Sequence, residues 1–464
     1  MATSYEHKPT KSKYLTEMSR PVKYDTPLKR SMSGYEIEMC LIDGRGDVSQ
    51  EAGKVIERIL KQDKDFSITK EAGQNMLEVM VLPHKSIQRT ALQLIENVEK
   101  VQQVCEDTGL AVLPLGTYPG TFKERIFLSE QRYKMIGKTV GRERFDFYSS
   151  HCYGFHYHYA LPKGTYNEKE GFVNNNIYSK IKTTLIDSYN FMIAADPMMT
   201  TLAQSSPFEG GRYRAKDTRM LYWRGGKKLK AEGFGQHIQM LAGLQPYKQT
   251  MADLLSSIRK KDAKFKKMLR DSGAPESFIR KKHILDYMWN PVKVNKIGTL
   301  EQRGMDTNYL EINLGITIML KFILRAIQQE FYHVIPSDFA LEEPFKLEGN
   351  VIFIPPHTHV RNVWQYQSAY QGFQGAEIAK AIPRFYKLAR KLVYKSYLPA
   401  LRSIKSMIDR KQSLSDKMIS YVKKKGYTLD RPIPKELSRS LSLLHAKKMV
   451  REMERTKKIF ENLD

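Results

Sequence analysis

Two glutamates lie close together in an otherwise apolar stretch, and their spacing is the first sign of chemistry in this sequence. The stretch SGYEIEMCLI at 33–42 alternates like a strand, with an apolar side chain at every second position. Glu36 and Glu38 therefore share the opposite face, at a separation of roughly 7 Å. Neighbouring carboxylates repel each other and are costly to bury, so a cation between them is one explanation. A solvated strand face is the other.

Two further acids repeat this pattern in KEAGQNMLEVMVL at 70–82. Glu71 and Glu78 flank a turn-like AGQN, and Glu78 lies on the polar face of a second strand-like alternation. A carboxylate in an apolar strand thus occurs twice, which favours a shared role over two separate solvated faces.

Two histidines share one face of the strand-like stretch CYGFHYHYALP at 152–162. A single histidine here is most often a hydrogen-bonded structural residue. His156 and His158 on one face, after a glycine that permits close approach of a ligand, favour contact with a metal or a phosphate.

A fourth stretch, IGTLEQRGMDTN at 297–308, places Glu301 and Arg303 on one strand face. The carboxylate is suited to a metal, and the planar guanidinium donates to two phosphate oxygens at once. An ordinary ion pair is the alternative for this stretch alone.

Taken together, these residues predict one oxygen-rich site for a hard divalent cation, Mg²⁺ or Mn²⁺. Such ions remove the repulsion among the carboxylates and bind the phosphates of ATP, while arginine neutralises charge on a transferred phosphoryl group. The sequence therefore predicts ATP with Mg²⁺ or Mn²⁺ as cofactors.

The elements that must position these side chains follow from the hydrophobic periodicity. Their order predicts an α+β fold, a mostly antiparallel sheet with helices packed on one side. The predicted strands are 34–43, 65–82, 111–118, 151–161 and 297–304. The predicted helices are 85–109, which ends at Gly109, then 171–204, a basic stretch at about 246–285, and 310–333.

Composition sets limits on the class of protein. The 464 residues are 41% hydrophobic, enough for a large core. The longest apolar stretch, 309–324, is interrupted by Glu311, Asn313 and Lys321, so we expect no membrane span. Residues 1–32 are polar and predict a flexible basic leader without a secretory signal. Three scattered cysteines argue against a disulfide framework and favour a cytoplasmic location.

The net charge of +26 favours anionic partners: nucleotides, acidic proteins, nucleic acid or an anionic membrane surface. Residues 376–464 carry 23 Lys and Arg against 9 Asp and Glu, in helix-like segments. They predict either a solvated helical extension whose apolar stripe packs on the body, or a surface for an acidic macromolecular partner. The segment lacks the interleaved aromatic residues on which nucleic-acid bases stack.

The motifs G-x-E-x-E, E…AGQN…E, G-x-H-x-H and E-x-R, in this order, resemble the glutamine synthetase / glutamate–cysteine ligase superfamily. The closest match is the bacterial-type glutamate–cysteine ligase and carboxylate–amine ligase group. SSPFEGGRYRAKDTRMLYWRG at 205–225 also looks like a family stretch. The resemblance covers about 33–310 and implies a half-barrel sheet around the metals, in a catalytic domain predicted at 33–375 before the extension at 376–464.

The resemblance also implies roles for single residues. His158 and Arg303 would contact nucleotide phosphates, with Arg303, Glu301 and Arg219 acting in catalysis. Four arginines are candidates for the substrate carboxylate or the γ-phosphate: Arg212, Arg214, Arg219 and Arg224. The implied metal ligands are Glu36, Glu38, Glu71, Glu78, His156 and Glu301.

The implied activity is ATP-dependent amide formation between an amino-acid-like carboxylate, with glutamate first by analogy, and an amine, through an acyl phosphate. Two alternatives stay open at this point. One is a phosphotransferase on the same architecture, and the other is a non-catalytic nucleotide-binding or scaffold protein with a basic tail. The amine acceptor is not identified by the sequence, and a homo-oligomer is left open.

Overall fold

The computed structural model describes residues 31–161, 165–167, 172–173 and 180–463. The predicted leader lies almost entirely outside the described residues. The strands are β1 Ser33–Asp43, β2 Ile68–Lys70, β3 Met76–His84, β4 Leu110–Leu113, β5 Gly154–Ala160, β6 Tyr166–Asn167, β7 Phe172–Val173, β8 Phe208–Glu209, β9 Arg212–Tyr213, β10 Val292–Asn295, β11 Thr299–Asp306, β12 His333–Pro336, β13 Leu347–Glu348 and β14 Val351–Ile354.

The α-helices connect these strands and form most of the C-terminal part. They are α1 Ala52–Gln62, α2 Ile87–Glu106, α3 Gln131–Val140, α4 Arg142–His151, α5 Lys180–Ala203, α6 Thr218–Arg224, α7 Gln239–Ala242, α8 Met251–Asp271, α9 Glu276–Arg280, α10 Leu310–Gln329, α11 Phe339–Glu342, α12 His357–His359, α13 Gln365–Gln371, α14 Ala376–Leu392, α15 Arg402–Arg410, α16 Leu414–Lys424 and α17 Lys435–Glu461.

A seven-stranded sheet forms the centre of the molecule. Its order is β10-β11-β5-β1-β3-β2, and β4 pairs with β1 beside this path. Every pairing within it is antiparallel. The predicted α+β class with a mostly antiparallel sheet is confirmed.

The two faces of this sheet differ in polarity because side chains alternate along each strand. Tyr35 and Ile37 of β1 are fully buried on the apolar face. There α5 packs on β11, and α10 packs on β5 and on α5. Thr317 of α10 donates a hydrogen bond to Tyr35 Oη at 3.4 Å. Burying each such apolar side chain stabilises the fold by about 1.5–3 kcal/mol, so the helices fix which face remains for the glutamates.

Helix α2 forms where the sequence predicts one, at 85–109. Ser86 caps its start, since the serine Oγ accepts a hydrogen bond from the backbone N–H of Arg89 at 3.1 Å. Gly109, just past its end, has a φ of +71°, a conformation that glycine adopts without strain.

Several element boundaries differ from the prediction for identifiable reasons. The strand predicted at 65–82 is two strands, because Asn75 in the turn between them bonds to Ser150 O at 3.0 Å and Tyr153 Oη at 2.8 Å. The strand at 111–118 ends before Pro114, which has no N–H for the ladder. The basic stretch is two helices, interrupted by Gly273 with a φ of +74°.

The two other predicted helices are shorter than expected. The helix predicted at 171–204 runs from Lys180 to Ala203, and 172–173 is strand. The helix predicted at 310–333 ends at Gln329, two residues before Phe331, which has a φ of +54°. An L-residue in that region of conformational space cannot continue a right-handed helix.

The basic C-terminal segment folds onto the body of the protein. Helix α17 packs on α2 and α10, and Met449, Met453 and Phe460 join the main core. Gln88 Nε2 of α2 donates to Phe460 O at 2.8 Å. The boundary at residue 376 stays a prediction. None of the helices in the described part of the chain has the length and apolarity needed to cross a bilayer.

Candidate active site

The register of the sheet brings the sequence-predicted acids and histidines together on its polar face. Glu36 of β1 lies opposite His156 of β5, and Glu38 lies opposite Glu78 of β3. On the other side of β5, Glu301 of β11 lies opposite His158. Four neighbouring strands thus contribute to one continuous polar surface.

These side chains form three adjoining groups, each with ligand atoms within 4.8 Å of one another. Glu36 belongs to two of the groups, and Glu78 also belongs to two. Glu71, at the turn after β2, completes the all-carboxylate group. The groups are Glu36–Glu78–His156, Glu36–His158–Glu301 and Glu38–Glu71–Glu78.

The two histidines are oriented by one ring nitrogen each. His156 Nδ1 lies 3.0 Å from Glu36 Oε2, and His158 Nδ1 lies 2.9 Å from Thr299 Oγ1. Both rings are 1% exposed, yet neither Nε2 makes a hydrogen bond; His158 Nε2 approaches Glu36 Oε1 at 3.1 Å without hydrogen-bond geometry. Buried imidazole nitrogens aimed at carboxylates fit divalent cations bound between them.

Crowding splits the acids into two electrostatic classes. Burial raises the pKa of Glu38 to about 7, and raises the pKa of Glu78 well above its usual value with further repulsion from Glu36 and Glu71. Burial likewise raises the pKa of Glu71. Burial also opposes the charge on Glu36, but His158 and His156 outweigh it and lower its pKa. The all-carboxylate group therefore has the greatest need of a cation.

Glu301 is held ionised by two cations. Burial works against its charge, yet Lys293 and Arg303 lower its pKa to about 2. Lys293 Nζ lies 3.1 Å from Glu301 Oε2, and Arg303 Nη1 lies 3.3 Å from Glu301 Oε1. Asn295 Nδ2 donates to Glu301 Oε2 at 2.5 Å. This end of the site thus carries both a carboxylate and cationic side chains, the combination that binding of a phosphate together with a metal ion requires.

Arg219 of α6 reaches the same face from above. Its guanidinium donates to Arg303 O at 3.3 Å, and Nη2 lies 4.0 Å from Glu38 Oε2. Gly154 makes this approach possible, because a Cβ there would overlap the guanidinium. The Gly154 N–H also donates to Glu38 Oε2 at 2.5 Å.

A small cavity of about 20 Å³, room for about one water molecule, adjoins Arg219 and Arg303. Arg224 contributes to its wall but is already engaged: Nη1 and Nη2 donate to Asp196 at 2.6 and 2.9 Å. The lining residues are Arg219, Met220, Trp223, Arg224, Trp289, Pro291, Arg303 and Gly304.

Two of the predicted arginines lie elsewhere. Arg212 of β9 and Arg214, just after this strand, are exposed, and Arg214 pairs with Glu209 at 3.3 Å. Among the described residues, no hydrogen bond or ion pair joins either arginine to the three carboxylate groups. A phosphate or substrate role for these two stays a prediction.

Lys293, Asp196 and Gly154 are parts of the site that sequence reasoning missed. Alternation in VKVN places Lys293 on a polar strand face, but only the pairing with β11 shows that it meets Glu301. Asp196 is an isolated acid in the apolar segment FMIAADPMM, a signal that it needs a buried partner. Gly154 was recognised only as permitting close approach, without the arginine that occupies the space.

The raised pKa of Glu38 predicts a pH dependence of stability in the absence of metal. The group contributes stability fully below its unfolded value and loses it as the pH rises through about 7. In EDTA, Glu38→Gln should therefore gain about 1–3 kcal/mol in free energy of unfolding, relative to wild type, between about pH 5 and pH 8. Urea unfolding at the two pH values measures the difference.

Glu57→Gln, an exposed change on α1, is the control for loss of one carboxylate. It shows how much of any pH response comes from the loss of one carboxylate alone. A change between the two pH values no larger for Glu38→Gln than for Glu57→Gln would contradict the unfavourable buried environment of Glu38.

The chain is similar to one family of known proteins and to several solved structures. A model of glutamate-cysteine ligase family 2 matches residues 32–334. Glutamate–cysteine ligase from Francisella tularensis, solved in complex with AMP, shares 13% identity at a TM-score of 0.56, covering 93% of this chain and 92% of that chain. A search of curated proteins found no match.

A bifunctional glutathione synthetase from Pasteurella multocida shares 11% identity at a TM-score of 0.54. The match covers 93% of this chain but only 56% of that enzyme. The chain thus spans little more than half of the bifunctional protein. At these identities the two structures establish a common fold.

Proposed function

The chain belongs to glutamate-cysteine ligase family 2, and from this premise we propose that it is an ATP- and Mg²⁺-dependent carboxylate–amine ligase. The observation that carries the proposal is the row of three adjoining carboxylate and histidine groups on one sheet face. Two of these groups share Glu36, so cations bound there would lie side by side. Adjacent cations suit the several phosphates of one nucleotide.

The residues present fit divalent cations. The all-carboxylate group has strongly raised pKa values, and both histidines keep a buried Nε2 without a hydrogen bond. Mg²⁺ or Mn²⁺ bound by these residues would neutralise the carboxylates and act as a Lewis acid on the phosphate oxygens of ATP. An adenine nucleotide is supported by the AMP bound to the Francisella tularensis enzyme of the same fold.

The arginines then account for orientation and for charge on the reacting groups. Arg303 lies beside Glu301, at one end of the sheet face that carries the three groups. Arg303 and Arg219 both line the cavity. Their planar guanidinium groups can bind a substrate carboxylate through two hydrogen bonds and neutralise negative charge on the transferred phosphoryl group. We propose that the acid substrate binds beside these two guanidinium groups, on the polar face of the sheet, with glutamate the first candidate from the family.

In the proposed reaction the substrate carboxylate attacks the γ-phosphorus of ATP, and ADP leaves. The resulting acyl phosphate has a good leaving group at its carbonyl carbon. An amine attacks that carbon, phosphate departs, and an amide forms with loss of a proton from nitrogen. The part of the protein is to position the reactants, and the guanidinium groups of Arg303 and Arg219 would bind substrate oxygen atoms for this purpose.

The test is an assay of the full chain with ATP, Mg²⁺, L-glutamate and a panel of amines that includes cysteine. We expect phosphate release that requires both acid and amine, together with the mass of the amide. Glutamate labelled with ¹⁸O in its carboxylates should transfer one ¹⁸O to the released phosphate, the signature of an acyl phosphate.

Omission of each substrate in turn is the control. A stable phosphorylated product without amide would indicate a phosphotransferase instead. Binding of Mg-ATP without turnover over a broad panel of acids and amines would contradict a ligase. An acidic macromolecular partner for residues 376–464 stays a prediction, and the panel of amines in this assay is the means to identify the acceptor.

A further inference from the structure

A second pocket lies among the C-terminal helices, where α10, α15, α16 and α17 meet. It measures about 290 Å³ and opens to solvent. Most of its residues lie beyond residue 334, where the family match ends. The lining residues are Asn308, Tyr309, Glu311, Ile312, Ser403, Ser406, Met407, Arg410, Gln412, Leu414, Lys417, Lys448, Glu452 and Arg455.

Three cations converge on this pocket from three different helices. Arg410 ends α15, Lys417 lies on α16, and Lys448 lies on α17. None of the three side chains makes a hydrogen bond or ion pair with the described residues. Lys448 Nζ instead lies 5.3 Å from the centre of the Tyr309 ring.

The acids of the pocket do not compensate these three charges. Glu311 is bonded to Ser403 and to Arg455, and Glu452 pairs with Arg455 Nη2 at 2.6 Å. Four cations therefore face two carboxylates, and both carboxylates are engaged by the fourth cation, Arg455.

The cations are close enough to disfavour one another. Burial lowers the pKa of Lys417, and the charges of Lys448 and Arg410 lower it further, by more than Glu452 and Glu311 raise it. Repulsion of this kind is relieved when an anion binds between the groups. The fold thus maintains an unfavourable concentration of positive charge at a concave surface.

We propose that this pocket binds a small molecule carrying a phosphate or diphosphate group. Arg410 offers a planar fork of donors, and Lys417 and Lys448 offer compact charges, the combination that recognises phosphate oxygens. Ser406 and Gln412 add uncharged hydrogen-bonding groups. The start of α10, a 20-residue helix, adds the positive end of its dipole. The volume suits a ligand of metabolite size.

The experiment is calorimetric titration of the full chain with inorganic pyrophosphate and, separately, with glycerol 3-phosphate. EDTA in the buffer prevents metal-dependent phosphate binding at the catalytic face. The triple variant Arg410→Gln/Lys417→Gln/Lys448→Gln should bind the tighter of the two probes at least about tenfold more weakly than wild type. The tighter probe identifies a diphosphate or a phosphate ester as the recognised group.

The matched control is Lys423→Gln/Lys424→Gln/Lys447→Gln, which removes three exposed positive charges from α16 and α17 outside the pocket. It should bind the probe as wild type does. Equal weakening in both triple variants, no binding of either probe to wild type, or equally tight binding of citrate would overturn the proposal. If the pocket triple variant is thermally unstable, the single variants Lys417→Gln and Lys424→Gln are compared in the same titration, and only Lys417→Gln should weaken binding of the probe.

Discussion

Replacing Glu36 by glutamine is expected to lower ATP-dependent turnover by at least about a thousandfold. Glu36 belongs to two of the three candidate metal groups and also contacts both histidines. Glutamine keeps the volume but supplies one neutral oxygen where the cations require a charged one. Initial rates of phosphate release at saturating ATP and Mg²⁺ measure the loss.

The same variant separates a metal role from a structural one. Wild type should melt at a higher temperature with Mn²⁺ than in EDTA, because a ligand that binds only the folded state stabilises it. Glu36→Gln should lose most of this increase. In EDTA it should melt only modestly below wild type, because the lost contacts with His156 and His158, which lower the pKa of Glu36, are partly offset by reduced repulsion on Glu78.

Glu57→Gln serves again as the control, with activity and metal response equal to wild type. A variant that unfolds in EDTA would show that Glu36 is structural. Full turnover by a folded Glu36→Gln protein would remove the basis of the proposed metal site.

Gly154→Ala is the second change for which we expect a large effect. A Cβ at this position would overlap the Arg219 guanidinium, which is packed directly against the glycine. Arg219 would have to leave Arg303 O and Glu38, its two contacts on the polar face of the sheet. Because Arg219 also lines the cavity, we expect kcat/KM to fall by about 100-fold or more.

The overlap should also destabilise the fold by about 1–3 kcal/mol, measured as the free energy of urea unfolding. Gly53→Ala is the matched control, because its Cβ would make only an ordinary contact with Phe127 at 3.4 Å and it lies in α1. That change should leave activity intact and stability equal or slightly higher. A Gly154→Ala protein as active as Gly53→Ala would show that Arg219 is not needed where it lies.

Much of the site could be predicted from local pattern. The alternation in SGYEIEMCLI correctly places Tyr35 and Ile37 in the core and Glu36 on the opposite face. The same reasoning applies to the strands that carry His156 and Glu301. Helix signals worked where a cap and a glycine bounded the segment, as in α2. The strand prediction at 65–82 failed because a distant contact of Asn75 holds a turn inside it.

The four arginines of 212–224 show the limit of pattern reading. All four have the same chemistry, and spacing within a short segment did not separate them. In the folded chain Arg219 lies beside Glu38 on the polar face of the sheet, Arg224 is engaged by Asp196, and Arg212 and Arg214 are exposed. The difference depends on α5 and β8, elements whose position is not encoded locally.

The sequence by itself determined which side chains share a face of each strand, because a period of two residues is a local property of the backbone. Only the tertiary structure decided which faces meet. Glu38 lies beside Glu78, and Glu301 between His158 and Lys293, through strand pairings that join distant parts of the chain. Register is set by how the apolar faces pack against α5 and α10. The electrostatic environment of each carboxylate and histidine is therefore fixed only when the core forms.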